Sequence, residues 1–134
     1  MPYRFEDHTA DIMLSIKSDS LIGFFNDILA ALWEIFVSKN DDFKMKRFRD
    51  FEFKLFFDNP QELVFNFINK YIYFVEVKRL MVCKVKDLNI IQNTAIFVTE
   101  AVKLRRFVSY IKSPTYHNFE VDLDNYFCRV VLDV

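Results

Sequence analysis

The segment Asp7-His8-Thr9-Ala10-Asp11-Ile12 gathers two carboxylates, an imidazole and a hydroxyl in one short run. Polar groups at the mouth of a strand can converge on a ligand. The same residues can equally form a turn whose Asp and Thr side chains bond local backbone. At the other end, Asp133 precedes Val134, whose α-carboxylate adds a second negative group. If the last strand lies beside the first, Asp11, Asp133 and Val134 form an all-oxygen cluster. A hard cation would relieve its mutual repulsion, and Mg²⁺, Mn²⁺ or Ca²⁺ suits such donors better than zinc. A solvated end with no ligand is the alternative.

A third polar group, Lys112-Ser113-Pro114-Thr115-Tyr116-His117, surrounds a proline that interrupts a strand pattern. Proline cannot donate to a ladder, so it marks a sheet edge, a bulge or a crossing point. Lys112 could neutralise a phosphate or orient a carboxylate, and His117 could move protons near neutral pH. A core Tyr116 and a solvated Lys112 are the alternative. His8 with the Asp11 and Asp133 cluster would make a water-activating centre, the basis of a metal-dependent phosphoester hydrolase or phosphotransferase reading. The single glycine cannot build the glycine-rich phosphate loops, which excludes nucleotide hydrolysis by those machineries.

Regular elements must position these groups. Ile12, Leu14 and Ile16 alternate with Met13, Ser15 and Lys17, the period of a strand with one buried face. Ser18-Asp19-Ser20 offers N-caps, Ser20 foremost, and Leu21, Phe25, Ile28, Leu32, Ile35 and Phe36 recur at helical spacing, predicting a helix from Leu21 to Phe36. Gly23 falls inside it. Phe51, Phe53, Leu55 and Phe57 alternate as a second strand. Asn59-Pro60-Gln61-Glu62 starts a second helix: Asn59 can cap, Pro60 suits the first position and Glu62 can complete a capping box. Leu63, Phe67, Tyr71, Phe74 and Val75 form its buried stripe. Strand-like runs then follow: Leu80 to Ile91, Ala95 to Leu104, Phe107 to Lys112, Tyr116 to Leu123, and Tyr126 onward, with Asp124-Asn125 as a hairpin turn. This order predicts an α+β fold in two layers, with two helices packed on one face of a mixed, largely antiparallel sheet.

Composition bounds the rest. The 134 residues are about half apolar, enough for one domain spanning 1–134 with a single core. The 17 phenylalanines follow the strand and helix periods and are core before they are stacking platforms. A net charge of −1 disfavours tight autonomous nucleic-acid binding. Lys44-Met45-Lys46-Arg47 with Arg49, and Lys103-Leu104-Arg105-Arg106, could contact RNA or an acidic partner, or be solvated faces. Cys83 and Cys128 form no C-x-x-C and are expected to be reduced thiols. Charges stand where a signal peptide needs its apolar run, and Asp27, Glu34, Lys70 and Glu76 interrupt the most hydrophobic segments. The expectation is no export, no membrane span, and a cytoplasmic location, or a nuclear one in a eukaryote.

Phe5-Glu6-Asp7-His8-Thr9-Ala10-Asp11-Ile12 resembles the N-terminal signature of the archease family, and Lys112 to Val121 is similar to its late K-A-x-T-Y-H-x-L-x-V stretch. Val131-Leu132-Asp133-Val134 is similar to the family's terminus, and Ser20-Leu21, Ala30-Ala31-Leu32 and the helix from Leu63 to Tyr73 match its spacing, so the resemblance covers essentially the whole chain. Met13 stands where the family usually has glycine, Ser113-Pro114 replaces Ala-Val or Ala-Ile, and Lys103 to Phe107 lacks the usual Gly-, Pro- and His-bearing loop.

The resemblance implies a non-catalytic activator of the GTP-dependent tRNA-splicing RNA ligase. Such an activator promotes ligase guanylylation and multiple turnover, and meets tRNA only indirectly. It implies a divalent metal held by Asp11, Asp133 and Val134, with His8, Lys112, Thr115, Tyr116 and His117 supporting those ligands or facing the partner. A chaperone-like module for another RNA-modifying enzyme is the further alternative.

Overall fold

The computed structural model describes residues 3–6, 11–39, 48–104 and 111–134. Its first strand, β1 (Tyr3–Glu6), is too short to declare itself by periodicity. The alternation of Ile12, Leu14 and Ile16 produces β2 (Asp11–Lys17), and the helical spacing that follows produces α1 (Leu21–Lys39), which ends beyond the expected Phe36. Next come β3 (Arg49–Phe56) and α2 (Pro60–Tyr73), which runs into a π-helical turn over Phe74–Lys78. Arg79, at φ 51° and ψ 42°, is left-handed and redirects the chain into β4 (Leu80–Ile91). β5 (Thr94–Lys103), β6 (Ser113–Asp122) and β7 (Phe127–Asp133) complete the order, with a 3-10 turn at Leu123–Asn125 between the last two. The expected strand from Phe107 to Lys112 falls mostly on residues outside those described; Ile111 and Lys112 precede β6 without strand pairing.

The fold is α+β, as the pattern of elements predicts. Its strands divide into two sheets, ordered β1-β2-β7-β6 and β3-β5-β4, and every pairing in both is antiparallel. Alternation reports which face of a strand is buried and says nothing about which strand is its neighbour, so the division is invisible to periodicity. The helices hold the sheets together: α1 packs against β1, β2 and β4, and α2 against β3 and β6. At the junction four phenylalanines from four elements meet. Phe25 of α1 lies 4.7 Å from Phe67 of α2 and 5.1 Å from Phe97 of β5, and Phe97 stacks at 5.1 Å on Phe53 of β3, all ring to ring. Each ring is 8% exposed or less, so truncating any of them to alanine removes about 3–5 kcal/mol of stability.

Polar side chains fix the seams. The Asn26 amide accepts from the Val85 backbone N–H at 2.7 Å and donates to the Val85 carbonyl at 3.1 Å, beside register shifts in β4. It thereby satisfies a strand residue from a helix. The Tyr3 hydroxyl donates to Glu34 of α1, a bond that holds the phenol up at about 12. Both cysteines are free, and burial pushes the thiol of Cys83 up to about 11 and that of Cys128 to about 12. Neither is a nucleophile at neutral pH.

Asn59 caps α2 by accepting the Glu62 N–H at 2.8 Å, and its own amide approaches the Glu62 carboxylate at 3.5 Å, a side-chain variant of the expected capping box. Ser20 caps α1, its Oγ accepting the Gly23 N–H at 3.0 Å. A Cβ at Gly23 would sit 2.7 Å from that oxygen, so the glycine makes room for the cap. Gly23→Ala is therefore expected to lose its usual helix gain of ~0.5–1 kcal/mol in the wild type and to recover it in the Ser20→Ala background. Urea unfolding of the four-member cycle checks this; equal stabilisation by Gly23→Ala in both backgrounds would contradict it.

Candidate functional site

β2 and β7 pair without a bulge, from Asp11 opposite Asp133 to Lys17 opposite Phe127. Directly opposed residues share a face, and successive residues alternate between faces. Ile12, Leu14 and Ile16 with Leu132, Val130 and Cys128 therefore line the core face. Asp11, Met13, Ser15 and Lys17 with Asp133, Val131, Arg129 and Phe127 line the other. Asp11 and Asp133 are thus a cross-strand pair of half-buried carboxylates, and β6 adds Ser113 on the far side of Asp133 in the same row. The Lys112 N–H donates to the Asp133 carbonyl at 2.7 Å. Three stretches of polypeptide, remote in sequence, meet at one row.

Like charges directly opposed on a sheet destabilise it, by up to about 1 kcal/mol. Among the described residues no cation is paired with either carboxylate, and no third Asp, Glu, His or Cys joins them. The donor set is hard and all-oxygen: two carboxylates, the Ser113 hydroxyl and the backbone oxygens near Val134. That chemistry fits a hard divalent ion.

The remaining expected residues divide. Thr115 lies in β6, and its Oγ1 donates to the Val131 carbonyl at 3.1 Å, which ties β6 to β7 beside the carboxylate row. Tyr116 is 64% exposed, not core, and stacks on Phe65 of α2 at 4.0 Å between ring centroids, with Phe119 edge-on at 5.9 Å. His117 is exposed, and its Nε2 lies 3.2 Å from the amide of Asn118, a left-handed residue at φ 54°. Both stand where the β6–β7 register breaks, between Thr115 and Glu120. The Lys112 side chain is exposed and, among the described residues, makes no ion pair. Pro114 is buried, opposite Leu132. His8, with Asp7, Thr9 and Ala10, lies outside the described residues, as do Lys44 to Arg47, Arg105 and Arg106. Phe65 was not singled out from sequence, and Ser113 only as a member of the polar run around Pro114. A lone serine and a helical phenylalanine carry no signal of their own until the register places them.

Two helices bridge two antiparallel sheets, and an acidic pair lies where the first sheet's central strands meet. The archease protein family (MTH1598/TM1083) matches residues 3–134, and the chain belongs to that family. The same fold occurs in protein 1598 of Methanobacterium thermoautotrophicum, at 14% identity over 99% of both chains and a TM-score of 0.66. It also occurs in an archease, possible chaperone (TM1083), from Thermotoga maritima, at 22% identity over 96% of this chain and 94% of that one, with a TM-score of 0.58. Comparison with curated proteins gives no match. No helix among the described residues is long and apolar enough to cross a membrane.

If the opposed carboxylates repel, Asp11→Asn should stabilise the metal-free chain by ~0.5 kcal/mol in low salt, and 1 M NaCl should erase the difference. With millimolar Mn²⁺ the order should invert, because an ion that binds only the folded wild type raises its stability. Urea midpoints in each condition check this; a variant less stable than wild type in the absence of metal would contradict it.

Proposed function

We propose that the chain is a non-catalytic activator of the GTP-dependent tRNA-splicing RNA ligase, acting through a divalent ion held on the carboxylate row. The observation that carries the proposal is the register of β2 on β7, which sets Asp11 directly opposite Asp133. Asp11 and Asp133, with backbone oxygens of Val134, would hold Ca²⁺, Mg²⁺ or Mn²⁺. The bound ion would supply a fixed positive charge to which oxygen groups of the ligase site can bind.

The chain's own residues do the positioning. The Lys112 N–H fixes the Asp133 backbone, and Thr115 fixes β6 on β7 at the next row. The stacked Tyr116 and Phe65 give the partner a rigid apolar platform nearby, of the aromatic kind that anchors interfaces. Family membership supports the ligase as that partner, with tRNA met only through it, in the cytoplasm or, in a eukaryote, the nucleus. The description of the Thermotoga maritima protein as a possible chaperone agrees with a role exerted on another protein.

The proposal predicts that the protein, added to its cognate ligase with a divalent cation, raises multiple-turnover ligation. Asp11→Ala or Asp133→Ala should lower that stimulation roughly tenfold or more, the scale on which lost metal ligands and their supports act. A stoichiometric ligation assay measures it. No stimulation by the wild type, or full stimulation by both variants, removes the proposal, and turnover of a phosphoester by the protein alone would favour the hydrolase reading.

A further inference from the structure

The sheet face that bears Asp11 and Asp133 changes sign along its length. Four residues further along β2, Ser15 stands opposite Arg4 on β1 and opposite Arg129 on β7. Lys17, in the next row of that face, stands opposite Phe127. Arg4, Ser15, Lys17, Phe127 and Arg129 line a groove of about 320 Å³ to which, among the described residues, no carboxylate contributes. With strands ~4.8 Å apart, the two arginines rise from backbones about 10 Å from one another with a nearly buried serine between them.

Lys17 and Arg129 are held in place. The Arg129 guanidinium lies 6.0 Å from the Phe127 ring centroid and takes the Glu120 carboxylate at 3.6 Å, from the β6 side. The Lys17 ammonium donates to the Asn125 carbonyl at 2.6 Å. Asp122, opposite Phe127, spends a carboxylate oxygen on the Asn125 amide at 2.7 Å, and that bond lowers its pKa.

We propose that this groove is an oxyanion site that takes one phosphate group, either free or carried on an RNA strand. Guanidinium forks match phosphate oxygens two at a time, and a hydroxyl and an ammonium serve the remaining oxygens. The carboxylate row lies about 13 Å away along β2, too far for the phosphate to be a ligand of an ion held there. The site therefore stands apart from the metal reading. A net charge of −1 confines the attraction to this groove, so binding is local and weakens as salt rises.

The test is an amide NMR titration of the full chain with inorganic phosphate, with a short RNA carrying a terminal phosphate, and with the same RNA lacking it. Saturable shifts at Arg4, Ser15 and Arg129 are expected. They should weaken roughly tenfold in Arg4→Gln and in Lys17→Gln, both exposed positions, and persist in Asp11→Asn. Response to inorganic phosphate identifies a free-phosphate site, and response to RNA alone a strand-borne one; each supports the proposal. Absence of saturable shifts with all three probes, or undiminished binding in both variants, would overturn it.

Discussion

The structure depends on the register of β7 against β2. The strand period is two, so a slip of one residue would turn Leu132, Val130 and Cys128 out of the core and bring Asp133, Val131 and Arg129 into it. Burial of Leu14, Ile16, Cys128, Val130 and Leu132 at 0% exposure forbids that slip. Hydrophobic burial on one face thereby dictates electrostatics on the other. The opposition of Asp11 to Asp133, and of Ser15 to Arg129, follows from core residues that touch no ligand. Functional precision is borrowed from packing.

The same economy appears at the level of layers. Neither sheet can bury its apolar face alone; α1 and α2 each contact strands of both, and their Phe25 and Phe67 meet Phe53 and Phe97 of the second sheet in one apolar interior. The abundance of phenylalanine is therefore structural at Phe25, Phe53, Phe67 and Phe97. Phe65 differs, lying on α2 where it stacks on an exposed tyrosine of β6. That contact couples α2 to the broken strand of the first sheet, beside the carboxylate row.

Much of this could be read from the chain itself. The periods of β2, α1, β3 and α2 and the caps Ser20 and Asn59 were all legible, because each rests on local chemistry or on alternation, whereas the pairing of β2 with β7 entered only as a condition that the structure meets. The division into two sheets was not, since partner choice is decided by three-dimensional packing. β1 was too short, and the left-handed turns at Arg79, Asn118 and Tyr126 carry no glycine to announce them. At the site, the carboxylates were readable as chemistry. The Lys112 N–H bond to the Asp133 carbonyl and the contact of the His117 imidazole with Asn118 were not legible, because both follow from how β6 lies on β7.

The carboxylate pair is open to direct inspection by a paramagnetic ion. Substoichiometric Mn²⁺ added to the folded chain should broaden the amide resonances of Asp11, Ile12, Leu132 and Asp133 first, leave those of the β4–β5 hairpin sharp, and lose this selectivity in Asp11→Asn. Broadening centred elsewhere, or unchanged by that substitution, would contradict the claim that β2 and β7 bring two acidic groups together to share a cation.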